Sequence, residues 1–169
     1  IVELTELNND MDNLLISTDG GTLFLDEDLE IRKFTPKIQE VYKIRKSDLG
    51  RPISHLNHRL VDADPFEIYE QVQGSSKSAE MEVQTENDRW YLMRALPYQI
   101  GPDTFMGVVV TFIDITRIKE AQKALEMSRT RYSELFGRML NGFALHEIVI
   151  DEKGAPIDYT FLEVNAAFE

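Results

Sequence analysis

The stretch from Met106 to Arg117, M-G-V-V-V-T-F-I-D-I-T-R, constrains this chain more than any other. Val108 to Asp114 is mostly β-branched or aromatic, the composition of a well-buried central strand. Asp114, Ile115 and Thr116 stop that strand, and beyond Thr116 the apolar period changes from strand-like to helical. Everything before the stretch reads as one globular domain that closes on this strand. Everything after it leaves along a long charged helix.

Composition narrows the chemistry. A chain of 169 residues holds one full domain and a fragment of another, and 43% hydrophobic content supports a packed core. A net charge of −12 argues against nucleic acid or an anionic membrane as partner, because phosphate rewards Lys and Arg. The absence of cysteine excludes disulfides, thiol nucleophiles and cysteine zinc sites, and suits a reducing compartment. No apolar run approaches the ~18 residues that span a bilayer, and no signal peptide is visible, so no membrane contact and a cytoplasmic location are expected. The chain starts at Ile1 and stops at Glu169 in mid-pattern, which reads as a piece cut from a longer protein.

In chain order, Leu4, Leu7, Met11 and Leu14 make an a/d stripe on a short helix. That helix either caps the following sheet or ends a coiled coil arriving from upstream. Residues 1–16 are this helix or linker. Thr22–Asp26 and Leu29–Phe34 read as a hairpin around the polar turn Asp26-Glu27-Asp28. Thr35 is placed to cap a helix with Pro36 at its first position, and Ile38, Val41, Tyr42 and Ile44 share one face. A short helix through Ile53 and Leu56 follows, then a helix over Pro65–Val72 with Phe66, Ile68, Tyr69 and Val72 apolar. From Ala79, Met81, Val83 and Thr85 alternate with polar residues, so one face is wet. Asn87-Asp88 turns into a strand over Arg89–Tyr98, where Pro97 implies a strand end or an unpaired position. Two early strands, several short helices and a three-stranded meander make an α+β domain over residues 17–117, not a βαβ one.

From Thr116 to about Leu140, Ile118, Leu125, Tyr132 and Met139 recur every seven residues, with Ala121, Ser128 and Leu135 on the second seam position. The narrow stripe favours a modest coiled coil over a helix folded back on its own domain. The tail then repeats the beginning. A helix end leads to Gly142, a strand over Phe143–Asp151, the turn Glu152-Lys153-Gly154 and a return strand over Tyr159–Val164. Asn165-Ala166-Ala167-Phe168 follows as Thr35-Pro36-Lys37-Ile38 did. Residues 141–169 are therefore expected to start a second domain of the same type, and such a hairpin is marginal alone.

These residues resemble the PAS sensor domain family. The matching segments are the hairpin TLFLDEDLEIRKF, the helix start TPKI, the strands RWYLMRALPY and MGVVVTF, and the terminal D-I-T. GFALHEIVIDEKG through FLEVNAAFE is similar to the opening half of another such domain. The L-N-N-D-M-D-N-L-L segment is similar to PAS domains of bacterial sensor histidine kinases and chemotaxis methylesterase–methyltransferase fusions. The resemblance implies a five-stranded antiparallel sheet in the order 2-1-5-4-3, helices over one face, and often a ligand pocket between. It also implies that Asp114, Ile115 and Thr116 are where changes in the sheet enter the output helix.

The chemistry of that joint is legible without the family. The Asp114 carboxylate suits the amides and positive dipole of a helix start, and Thr116 offers a second cap and a hydroxyl partner. Plain capping without switching is the simpler reading of the same residues.

Other sites are thinner. His55 and His58 lie three apart, but nothing else supports haem. Cysteine-linked flavin or chromophore chemistry is excluded, and no cofactor is expected. A small ligand would be lined by Phe34, Tyr42, Leu56, Ile68, Tyr69, Trp90, Leu92 and Met93, each equally a core residue. Trp90 and Leu92 share one strand face, and Tyr91 and Met93 the other. Arg94 is a lone charge among apolar strand residues, facing solvent, Glu82 or an anionic ligand. No phosphate loop, zinc-protease helix or nucleophile elbow is present.

The expected function is a non-catalytic sensory module, with any kinase-like output elsewhere in the parent. Its expected partners are a second copy, through the N- and C-terminal helices, and neighbouring domains. A filled-core scaffold for dimerisation and spacing is the rival.

Overall fold

The computed structural model describes residues 20–61, 63–99 and 105–168. The expected N-terminal stripe of Leu4, Leu7, Met11 and Leu14 lies outside the described residues. The chain divides after Lys119 into two compact units.

The first unit is α+β. Strands β1 (Gly20–Leu25) and β2 (Ile31–Phe34) form the first hairpin. Three 3-10 turns follow, Pro36–Glu40, Lys46–Asp48 and Ile53–His55. Then come β3 (Leu60–Val61), helix α1 (Pro65–Ser75) and the meander β4 (Ala79–Thr85), β5 (Trp90–Gln99) and β6 (Phe105–Asp114). The antiparallel sheet runs β2-β1-β6-β5-β4-β3. Without β3 this is the expected 2-1-5-4-3 order. The expected count of five is corrected to six, because Leu60 and Val61 pair with Thr85 and Gln84 at the edge.

β6 is central because its composition lets it bury against both neighbours: Val108, Val110 and Phe112 are buried on the helix side. Gly107 makes this possible. Its φ is +140°, and a Cβ there would collide with the Leu25 carbonyl oxygen of β1. Tyr91, Met93 and Ala95 of β5 face the same core, where they meet Leu23, Leu25, Tyr42 and, from α1, Tyr69 and Val72. Each large side chain buried there contributes roughly 1.5–3 kcal/mol.

Beyond Ala79, the partner of Ala95, β4 has run out, and Pro97 sits opposite Val108 of β6. Trp90 turns its amide and carbonyl toward the β6 side, where they bond to Thr116 and Ile115. Strand alternation therefore aims the odd-numbered Pro97 at the open side. Proline is tolerated there because no ladder bond is lost.

Two expectations are corrected locally. The helix expected after Thr35 is a 3-10 turn, and the Thr35 hydroxyl does not cap it. That oxygen instead accepts the Thr22 amide of β1 at 2.8 Å. The exit helix α2 runs over Thr116–Gly137, shorter than the expected 116–140.

The second unit holds the rest of α2 and the hairpin of β7 (Ala144–Ile150) with β8 (Pro156–Val164). It repeats the first hairpin bond for bond. The Asn165 side chain accepts the Phe143 amide at 2.7 Å, and Phe143 returns its carbonyl to the Asn165 amide at 3.1 Å. Thr35 and Thr22 do the same at 2.8 and 2.9 Å. Both hairpins carry a bulge at the matching place, between Phe24 and Leu25 and between Leu145 and His146. Gly21 and Gly142 each let the chain pass close over the following turn, at Ile38 and Phe168. In the first unit the face so built is buried. In the second, Ile148, Tyr159, Phe161 and Phe168 remain exposed.

Candidate functional site

The strand-to-helix joint is held by a cluster of side-chain hydrogen bonds and ion pairs. Asp114 ends β6 opposite Tyr91 of β5. Its Oδ1 accepts the Thr116 amide at 2.9 Å, a side-chain cap on the first turn of α2. Its Oδ2 lies 3.2 Å from the Arg89 guanidinium, which also donates to Glu40 at 3.0 Å. Glu40 in turn accepts the Tyr91 hydroxyl at 2.6 Å. Thr116 closes the joint: its Oγ1 accepts the Trp90 amide at 3.0 Å and donates to the Trp90 carbonyl at 3.4 Å. The Ile115 amide donates to that carbonyl at 2.8 Å. The helix start is thus held by the first residue of β5 as well as by the end of β6.

One turn on, Lys119 reaches back across the sheet. Its Nζ is 2.5 Å from Glu82 of β4 and 5.3 Å from the centre of the Trp90 ring. The first turn of α2 therefore touches β4, β5 and β6.

The charges at the joint are mutually supporting. Burial raises the Asp114 pKa, but the Thr116 hydroxyl and amide and then Arg89 outweigh it, holding the carboxyl below its ordinary value. Tyr91, then Asp114 and Glu40, hold Arg89 firmly charged. Burial, and then the Glu40 carboxylate that accepts its proton, push the Tyr91 hydroxyl up. The Arg89 and Asp114 side chains are partly solvated, so their pair is worth at most about 1 kcal/mol.

The expected pocket residues do not form one site. Tyr42, Tyr69, Leu56 and Met93 meet in the core, with Phe34 and Ile68 packed at its margin. Trp90, Leu92 and Arg94 share the opposite face of the sheet, so a pocket lined by all of them is corrected to two separate surfaces. Arg94 pairs with Glu80 at 2.6 Å, directly across the ladder, rather than with Glu82. In the core, the Tyr42 and Tyr69 hydroxyls share a hydrogen bond of 2.7 Å, and the Phe112 ring sits edge-on to Tyr42. His58 also lies edge-on to Tyr42 while His55 is exposed, and among the described residues no group of three metal-ligating side chains occurs.

Ile118, Ala121, Leu125, Ser128, Tyr132 and Leu135 are all exposed on α2, whereas Met139 falls beyond its end at Gly137. Among the described residues no helix is long and apolar enough to cross a membrane. Sequence reasoning missed Arg89, Glu40 and Tyr91. The signal for Arg89 was its place just before Trp90, at the start of the strand paired with the D-I-T strand.

Residues 11–116 match the family model of the PAS domain. An uncharacterized 104.1 kDa protein of Rhodobacter capsulatus is 36% identical over 98% of this chain, which spans only 16% of that relative. A solved C-terminal domain from Streptococcus mutans superposes with a TM-score of 0.51 at 17% identity, covering 67% of this chain and 88% of that domain. The sensor region of a sensor histidine kinase gives a TM-score of 0.46 at 23% identity, covering 59% of this chain and 40% of that one. The match to the family model covers most of the sequence, and the chain belongs to the PAS domain family, whose members are sensory signalling modules.

Proposed function

We propose that this chain is a non-catalytic relay module of a bacterial signal-transduction protein. A change in the sheet, set by a small ligand or a partner, is passed through Asp114-Ile115-Thr116 into α2. The single observation that supports this most is the double grip of Thr116 on Trp90, beside the Asp114–Arg89 pair. Through it a movement of β5 against β6 becomes a change of helix direction. In this reading α2 pairs in parallel with α2 of a second copy along its exposed seam, and residues 141–169 open a second PAS-like domain. The enzymatic output lies elsewhere in the parent chain.

The test is a spin-label distance measurement between the α2 helices of the purified dimer. Thr116→Val removes the hydroxyl that bonds Trp90 and should broaden the distance distribution while leaving the fold intact. An unchanged narrow distribution would sink the relay.

A second reading, a filled-core scaffold without ligand, is favoured by the core itself. Tyr42, Tyr69, Met93 and Phe112 are almost fully buried, and the two hydroxyls satisfy each other. Native mass spectrometry of the purified chain separates the two. A released small mass supports ligand sensing, and a bare dimer supports the scaffold.

A further inference from the structure

The chain is strongly acidic, yet one cleft of its first unit is cationic. Residues 43–59 carry Lys43, Arg45, Lys46, Arg51 and Arg59 against a single carboxylate, Asp48. Lys43, Arg45, Arg51 and Arg59 line one open cleft of about 720 Å³, with Ile44 at its apolar wall.

The cations are brought together by backbone that is well tied down. Tyr42 and His58 form an antiparallel bridge, with Lys43 donating its amide to Asn57 at 3.0 Å and Arg59 to Val41 at 2.8 Å. That pairing sets Lys43 opposite Asn57 and Arg59 opposite Val41, so the two cations lie diagonally across it, within reach of long side chains. The other two come from the turn centred on Asp48, whose Oδ2 accepts the Arg45 amide at 2.8 Å and whose Oδ1 accepts the Arg51 guanidinium at 2.6 Å. The turn is pinned to β2 by Gly50 to Ile31 at 2.8 Å and Ile31 to Arg51 at 3.0 Å.

Asp48 also lines the cleft and pairs with Arg51 at 2.6 Å, so it offsets that one cation and leaves Lys43, Arg45 and Arg59 in excess. The Arg45 and Arg59 guanidiniums form no ion pair among the described residues. Like charges held together without a counter-ion repel, and a bound anion relieves that repulsion. Guanidinium forks match carboxylate and phosphate oxygens two at a time. The volume suits a small molecule rather than a folded partner.

We propose that this cleft binds a small organic polyanion, a molecule bearing two or more carboxylate or phosphate groups. The site is separate from the strand-to-helix joint and does not depend on the relay.

Isothermal titration of the purified chain with citrate, and separately with inorganic pyrophosphate, at low ionic strength tests it and tells carboxylate from phosphate. At least one probe should bind saturably at one site per chain. Arg45→Gln/Arg59→Gln should weaken it about tenfold or more, since two charge-assisted hydrogen-bonding forks are lost. Arg59→Lys, which keeps the charge and loses the fork, should fall between. Lys77→Gln, far along the chain on an exposed loop, should leave binding unchanged. All four chains should give the same circular dichroism spectrum. No saturable binding of either probe, or an unchanged affinity in the double variant, would overturn the proposal.

Discussion

Asp26 and Asp151 hold two hairpin turns with the same set of hydrogen bonds. The Asp26 carboxylate accepts the amides of Asp28 and Glu30 at 3.0 and 2.9 Å, and Asp151 accepts those of Lys153 and Ala155 at 2.8 and 2.9 Å. The residue three positions on takes a left-handed backbone in both, Leu29 at φ 57° and Gly154 at φ 78°. The consequences of removing each carboxylate should differ, because only the first hairpin belongs to a buried core. Asp26→Ala should lower the stability of the first unit by about 1 kcal/mol in urea melts. Asp151→Ala should leave that transition unmoved and speed amide exchange in β7 and β8 alone.

The second hairpin should behave as an incomplete structure. With Ile148, Tyr159, Phe161 and Phe168 exposed, a peptide of residues 143–169 should show no cooperative thermal transition. A sharp melt of that peptide would contradict the reading of the tail as the opening of a larger domain.

Asp114 is placed to stabilise the start of α2. Asp114→Ala removes the cap on Thr116 and the Arg89 pair, and should cost about 1 kcal/mol. Its carboxyl is held below its ordinary pKa, so its contribution is complete above about pH 4–5 and is lost as pH falls through that range and below. Urea midpoints measured between about pH 6 and pH 3 should fall less steeply in Asp114→Ala than in the parent sequence.

The tyrosine pair makes the opposite prediction at high pH. Burial raises the pKa of both Tyr42 and Tyr69 above the ordinary 10.0. The unfolded chain ionises them near that value, so stability is intact below about pH 10 and declines as pH rises beyond it. Tyr42→Phe/Tyr69→Phe should flatten that alkaline decline. Tyr69→Phe alone strands the Tyr42 hydroxyl in the core and should cost about 1–3 kcal/mol, more than the double variant.

Gly107 tolerates no side chain. A Cβ would strike the Leu25 carbonyl at a φ that L residues rarely adopt, so Gly107→Ala should destabilise by at least about 1–3 kcal/mol. A melting temperature within a degree or so of the parent would refute this.

The sheet was legible because β6 carries its burial in its composition, and because β4 alternates clearly enough to set the meander. β5 was half legible. Its run Trp90-Tyr91-Leu92-Met93 is apolar on both faces, so period alone could not choose the inner one, and the neighbours in the ladder decide it. That ambiguity put Trp90, Leu92 and Arg94 in a pocket they do not line. β3 was invisible, since two residues show no period. Thr35 carried a capping signature but was claimed by a bond across the hairpin, a tertiary partner thirteen residues away. Glu40 joined the candidate site for the same reason: its partners Arg89 and Tyr91 are some fifty residues on, beyond the reach of local pattern.

Pro97 has a consequence for how such modules coexist. A strand that outruns its neighbour offers a row of free amides on which another chain can build, and signalling proteins that string similar domains together carry many related strands at high local concentration. At the place where β4 stops, β5 offers a residue with no amide to give. That stretch of β5 is thereby left without a donor at Pro97, and a strand added there would lose one rung of its ladder.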